Sequence, residues 1–189
     1  MIRIAILGDI GSGKSFIAKN FGYPVFNADE EVSKIYKKNK KVYKKLKKIL
    51  PKYFNSFPIK KTNVLNAILD NKNNLKKIIK IIHFQVRLEM KIFLNKNRHK
   101  KIVILDIPLL LENKINKKKD YLIFIQAQKS KILKRLKRRK NYNGKLYNIL
   151  SKSQISVNIK KKKSDFIIRN NFDNISFKKD IRYILKKIL

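Results

Sequence analysis

The chain has 189 residues, 43% of them hydrophobic, enough for one domain with a core of its own, and no apolar run is long enough to span a bilayer. It contains no cysteine, which excludes disulfides, thiolate metal sites and a cysteine nucleophile. Its 49 Lys plus Arg against 12 Asp plus Glu give a net charge of +37, a value that raises a polyanionic partner such as nucleic acid. Two features speak against that partner. The lysines run through nearly every helical segment instead of gathering in one patch. The excess is also shared with Asn and Ile, all three encoded by A/T-rich codons, so a base-composition bias produces it without a binding function. The chain enters a strand at its first residues, leaving no room for a leader, and the expected setting is the cytoplasm.

In chain order, Ile2 to Leu7 is a short apolar run, the mark of a strand buried on both faces. It leads into Gly8-Asp9-Ile10-Gly11-Ser12-Gly13-Lys14-Ser15, which fills every defined position of G-x-x-x-x-G-K-[ST], and a helical stretch follows to Phe21. Strand, glycine loop and helix are what phosphate binding needs. Gly8, Gly11 and Gly13 let the backbone curl so that successive N–H groups face phosphate oxygens. Lys14 reaches the terminal phosphates and Ser15 offers a hydroxyl to Mg²⁺. The pattern therefore implies a nucleoside triphosphate, with Mg²⁺ at the Ser15 hydroxyl.

Tyr23 to Phe26 reads as a second strand, followed by Asn27-Ala28-Asp29 and a helix from about Glu30. Asp29 has two readings, a helix N-cap or a carboxylate at the strand edge where ligands bind. Glu31 to Leu50 has one helical pattern, with Val32, Ile35, Val42, Leu46 and Ile49 on a stripe, and Pro51 ends it. Tyr53 to Pro58 is a loop, and further helices cover 64–69 and 75–94. The stretch from about 30 to 98 is too long for a simple crossover and reads as a helical insertion, a natural place for a second substrate. His83 falls in it among Ile78, Ile79, Ile81 and Ile82, where an imidazole is ordinarily a packed residue.

Ile102 to Leu105 is the third strand, ending at Asp106, which is read either as the carboxylate that a P-loop protein places near its metal or as part of a cap or turn, which Pro108 signals. Tyr121 to Ile125 is the fourth. Lys129 to Lys140 is a densely basic helix, read either as a solvated face or as phosphate-binding arginines, because Arg135, Arg138 and Arg139 cluster in a chain that otherwise prefers lysine. A helix from about Lys145 continues to Ser156, and Lys160 to Lys163 reads as an exposed basic turn. Asp165 to Ile168 is the fifth strand, and Ile175 to Leu189 an amphipathic closing helix with Phe177, Ile181, Ile184, Leu185 and Ile188 on one stripe. Strands alternating with helices imply an α/β fold with a parallel sheet covered on both faces.

Taken together these motifs resemble the dephospho-CoA kinase family over nearly the whole chain. The loop matches the family's Gly-Gly-Ile-Gly-Ser-Gly-Lys-Ser, with Asp9 in place of a glycine. Phe26-Asn27-Ala28-Asp29 is similar to its Asp-Ala-Asp, with Asn27 replacing the first Asp. His83-Phe84 stands at its His-Pro. Asp106-Ile107-Pro108-Leu109-Leu110-Leu111-Glu112 matches its Pro-Leu-Leu-x-Glu motif, Arg135 to Arg139 its Arg-x-x-x-Arg, Gln154 the glutamine that follows, and Ser164 to Asn170 is similar to its Ala-Asp-x-Val-Ile-x-Asn.

The resemblance implies a nucleoside-monophosphate-kinase-like, three-layer P-loop fold with a five-stranded parallel sheet, spanning 1–189 as one domain with the helical acceptor-binding insertion and a lid at about 129–160. It implies ATP-dependent phosphorylation of the ribose 3′-hydroxyl of dephospho-CoA, the last step of coenzyme A synthesis. Gly8, Gly11, Ser12, Gly13, Lys14, Ser15 and Phe16 would hold the ATP, with Asn170 by its adenine. Ser15, and Asp106 as a further candidate, would hold Mg²⁺. Asp29 would act as base, Arg135 and Arg139 would close over the transferring group, and His83 and Arg87 would bind the acceptor. A monomer or weak homo-oligomer is expected, without membrane or nucleic-acid partners. The competing readings are a P-loop kinase of another small acceptor, such as a nucleoside or shikimate, and a basic nucleic-acid-binding P-loop protein.

Overall fold

Alternation along β1 (Ile2–Gly8) sets the architecture. Ile4 and Ile6 point to one face and Ala5 and Leu7 to the other, and all four are buried. A strand apolar on both faces is stable only between two helical layers. A computed structural model describes residues 1–140, 142–173 and 175–189. Asn141, inside the expected lid, and Asn174 lie outside the described residues. The described chain forms two compact units. In order after β1 come α1 (Lys14–Lys19), β2 (Val25–Asn27), α2 (Ala28–Lys38), α3 (Lys40–Ile49), α4 (Lys61–Asp70), α5 (Lys72–Lys96), β3 (Ile102–Asp106), β4 (Tyr121–Gln126), α6 (Lys129–Lys137), α7 (Gly144–Lys152), α8 (Val157–Lys162), β5 (Phe166–Arg169) and α9 (Ser176–Ile188).

The first unit, Met1–Asn27, Asn97–Tyr142 and Ser151–Leu189, holds the sheet. Its five strands are all parallel in the order β2-β3-β1-β4-β5. The register puts Ile6 beside Asp106, Asp106 beside Asn27, and Gly8 beside Ile125, so the strand ends gather at one edge. Ligands of open α/β sheets bind at this carboxyl edge. One face is filled by Ile4, Ile6, Ile104, Ile123 and Ile168 against Ile17 and Ala18 of α1 and Phe177, Ile181, Ile184 and Ile188 of α9. The closing stripe read from the sequence therefore packs as expected. At the opposite edge of the sheet Arg3 donates to Asp120 at 2.9 Å in a buried ion pair, and the Lys117 amide donates to the same carboxylate oxygen at 2.8 Å. This fixes the start of β4 against β1.

The second unit, Ala28–Lys96 and Asn143–Leu150, is helical. The long α5 packs Ile78, Ile82 and Val86 inward and lies against α2, α3 and α4. Tyr36 is buried with Phe54 in this unit, and burial pushes its hydroxyl up to about 12. The continuous helix expected over 31–50 is two. Asn39 breaks it with an extended backbone, and its side chain accepts the Val42 amide at 2.9 Å as the N-cap of α3. The hydrophobic spacing stays in phase across the break, which is why periodicity alone joined the two. Among the described residues no helix is long and apolar enough to cross a membrane.

Two more expectations are corrected. The helix expected from 145 to 156 stops at Lys152, and Ser156 starts α8 by accepting the Ile159 amide at 3.3 Å. Lys160, placed by the sequence in an exposed basic turn, is 1% exposed inside α8. Its ammonium lies 3.0 Å from Glu112 and donates to Gln154 at 2.7 Å, and Glu112 also accepts the Ile155 amide at 3.1 Å. Lys161 to Lys163 remain exposed, so the run hides one structural lysine among three solvated ones. Removing one member of a buried pair leaves the other uncompensated, at a cost of about 3–5 kcal/mol. Lys160→Met is therefore expected to lower the melting temperature by on the order of 10 °C. Adding Glu112→Gln, which keeps the acceptor for Ile155 and removes the orphaned charge, should recover part of that loss in the same melting experiment.

Candidate active site

The loop that leaves β1 is shaped by backbone that side chains resist. Gly11 has φ +83° and Gly13 φ +91°, both in the left-handed region. Each also lies where a Cβ has no room. On Gly11 it would meet Leu136 and Ile132 of α6 at 3.0 and 3.1 Å, and on Gly13 it would stand 2.3 Å from the Asn170 amide nitrogen. At Gly8 the missing Cβ leaves space for the buried Ser12 hydroxyl, whose Oγ lies 2.6 Å from where that atom would be and has no hydrogen-bond partner. The loop is thus packed from one side by α6 and from another by the segment after β5, so closely that only glycine fits at these positions. Lys14 spans it, donating from Nζ to the Asp9 carbonyl at 2.7 Å and the Gly8 carbonyl at 3.4 Å.

Asn170 is the anchor. It is 3% exposed, its Nδ2 donates to the Ser12 carbonyl at 2.7 Å, and its Oδ1 accepts the Phe172 amide at 2.9 Å. Its own N–H bonds the Gln126 carbonyl at 2.8 Å, which continues the β4–β5 ladder. Both ends of the side-chain amide are therefore used within the protein. Asp173, three residues on, accepts the Ser176 and Ile175 amides at the start of α9, and those bonds hold its carboxyl below the usual range.

Beside the loop, Arg135 in the last turn of α6 places its guanidinium 4.6 Å from the centre of the Phe172 ring. Arg139 lies just beyond the helix on exposed chain, its N–H bonded to the Leu136 carbonyl at 3.0 Å. A cavity of about 260 Å³ is lined by Asp9, Gln126, Lys129, Ile132 and Val157 on the same side of the sheet edge. Phe16 projects from α1, half exposed, and meets Phe177 edge to face at 5.5 Å. At the ends of β2 and β3, Asn27 donates to Asp106 at 2.7 Å, and Asp106 is 2% exposed. Asp9 accepts the Ile10 amide at 2.7 Å.

Asp29, His83 and Arg87 belong to the second unit. Asp29 is not an N-cap. The helix has already begun at Ala28, so Asp29 stands in its first turn with Glu30 and Glu31 beside it, and its carbonyl accepts the Ser33 hydroxyl at 3.0 Å. His83 and Arg87, one turn apart on α5, share a face distinct from the buried Ile78–Ile82–Val86 stripe. His83 is half-buried and Arg87 exposed, so the imidazole is no core residue. Sequence reasoning missed the Phe172 ring and the Lys160–Glu112 pair. Neither has a local signature, since the partner of each lies far along the chain.

The dephospho-CoA kinase family model (CoaE) matches residues 2–175. The chain belongs to the dephospho-CoA kinase family. A dephospho-CoA kinase of Wolbachia from Brugia malayi is 35% identical over 170 residues, 87% of each chain. Among solved structures, TT1252 from Thermus thermophilus aligns with a TM-score of 0.77 at 21% identity, covering 100% of this chain and 98% of that one. Dephospho-CoA kinase from Campylobacter jejuni aligns with a TM-score of 0.64 at 24% identity, covering 98% and 96%. The two structures support the fold, an α/β P-loop architecture with the five-stranded parallel sheet read from the sequence. As a member of the dephospho-CoA kinase family the chain is a phosphotransferase.

Proposed function

We propose that this chain transfers the γ-phosphoryl group of ATP to the ribose 3′-hydroxyl of dephospho-CoA, giving coenzyme A and ADP. The observation that carries the reading is the family match over residues 2–175, which takes in a glycine loop with left-handed backbone at Gly11 and Gly13. In the reaction the 3′-oxygen forms a bond to the γ-phosphorus, the bond from that phosphorus to the bridging oxygen of ADP breaks, and the hydroxyl proton passes to a base. Little covalent chemistry falls to the protein, so the residues act by position and charge.

The backbone from Gly11 to Ser15 would hold the β-phosphate, with Gly8, Ser12 and Gly13 shaping the loop and Phe16 flanking it. Lys14 is already drawn across the loop by the Gly8 and Asp9 carbonyls and would exchange those contacts for phosphate oxygens. Arg135 and Arg139 would balance charge on the transferring group as the lid, 129–160, closes. Asp29 would accept the proton, and His83 and Arg87 on the helical unit would bind the acceptor. The donor set suits Mg²⁺ through Ser15, with Asp106 as a further candidate; the ion, when bound, neutralises phosphate charge. Among the described residues no three carboxylates or imidazoles converge, which fits an ion held largely by the nucleotide.

Two measurements test this. In an ATP-consumption assay across dephospho-CoA, pantetheine, adenosine and shikimate, dephospho-CoA alone is expected to give rapid turnover; turnover with another acceptor and none with dephospho-CoA overturns the reading. Asp29→Asn leaves an uncharged, isosteric amide in the first turn of α2. Turnover is expected to fall by roughly a hundredfold or more, with dephospho-CoA still bound and the melting temperature nearly unchanged. Unaltered turnover would remove Asp29 from the role of base.

A further inference from the structure

Phe172 adopts φ +65°. The left-handed region is uncommon for any residue with a Cβ and a marked outlier for a bulky one, so surrounding contacts must hold it there. Two of them are visible. The Phe172 amide donates to the Asn170 side chain, which is itself committed to the Ser12 carbonyl. The Phe172 ring carries the Arg135 guanidinium on its face at 4.6 Å. The ring also borders the loop, its Cε1 lying 3.7 Å from where a Cβ on Gly13 would stand. Loop, aromatic ring and arginine therefore form one contiguous group.

We propose that Phe172 is a positioning residue that holds the Arg135 guanidinium beside the phosphate loop before nucleotide arrives. The physical case rests on what a long arginine does on an exposed helix. Arg135 projects from the exposed side of α6, while Ile132 and Leu136 of the same helix are buried and pack near Gly11. Without a partner its side chain samples many rotamers, and ordering it around a phosphate costs entropy. An aromatic face attracts the planar cation through the ring quadrupole and narrows that sampling. The left-handed turn is what brings the ring to this place, two residues after an asparagine that cannot move without releasing the loop. The inference rests on the kinase reading, in which Arg135 meets the phosphates.

The test uses the full chain and three variants. Phe172→Gly removes the ring and suits the left-handed backbone, Phe172→Leu keeps bulk without a π face, and Phe172→Tyr keeps the ring. Melting curves, kcat and KM for ATP with dephospho-CoA as acceptor, and calorimetric titrations of ATP and ADP are recorded for each. Phe172→Gly is expected to melt at or above the wild-type temperature, yet to lose about three- to tenfold in kcat and in its preference for ATP over ADP. Phe172→Leu should behave like Phe172→Gly in function, and Phe172→Tyr like wild type. In an Arg135→Ala background, Phe172→Gly should cause no further loss. An unchanged kcat and nucleotide preference, rescue by leucine, or the same loss in the Arg135→Ala background overturns the proposal. The ATP-over-ADP preference needs no acceptor. A chain that fails to use dephospho-CoA would sink the kinase reading while the nucleotide titrations still decide the role of Phe172.

Discussion

The site depends on one constraint: the backbone after β1 must turn through left-handed conformations at Gly11 and Gly13 while other parts of the chain press against it. Glycine alone satisfies both demands at low cost. Everything nearby follows from holding that turn in place. The β1 register sets where the loop starts, α6 closes over Gly11, and Asn170 reaches from the end of β5 to the Ser12 carbonyl. On the proposed reading, a loop pinned from several directions would be preorganised before phosphate arrives, and preorganised dipoles are what phosphoryl transfer asks of a protein.

A second buried polar contact bears on the departures from the family pattern. Asn27 stands where the resemblance places a carboxylate, and its amide donates to Asp106 at 2.7 Å. Two carboxylates at that spacing in a buried place could not both stay ionised without raising the pKa of one. The amide avoids the conflict and gives Asp106 a donor. Asp9, replacing a glycine of the pattern, likewise finds a local partner in the Ile10 amide and adopts no left-handed backbone. Each of these two departures thus finds a hydrogen-bond partner within the sheet edge and its loop.

Much of this was legible in the sequence because the signals are short-ranged. Ile2 to Leu7 announced a central strand by composition, the glycine-lysine pattern named the loop, and the stripe through Phe177, Ile181, Ile184 and Ile188 gave the closing helix. Asn39 shows how a local signal can also hide, since its cap interrupts a helix without disturbing the hydrophobic phase. What could not be read were contacts whose two halves are far apart in the chain. Lys160 looks like its three neighbours until Glu112 is set against it. The resemblance puts Asn170 by the adenine, but its bonds to the Ser12 carbonyl and the Phe172 amide have partners that no local pattern names. Position alone left Asp29 open between a helix cap and a strand-edge carboxylate, and the start of α2 at Ala28 puts it inside the first turn.

The claim that the loop is held for phosphate by Asn170 is open to one direct measurement. ATP and tripolyphosphate, which has the phosphates without the nucleoside, are titrated calorimetrically against wild type and Asn170→Ala. Losing the Nδ2 donor leaves the Ser12 carbonyl without that bond, a change of about 1–3 kcal/mol for a buried group. Both ligands are therefore expected to weaken together, by about tenfold, in a variant that still folds. A variant that binds tripolyphosphate as wild type does, while losing affinity for ATP, would place Asn170 at the base and contradict the account.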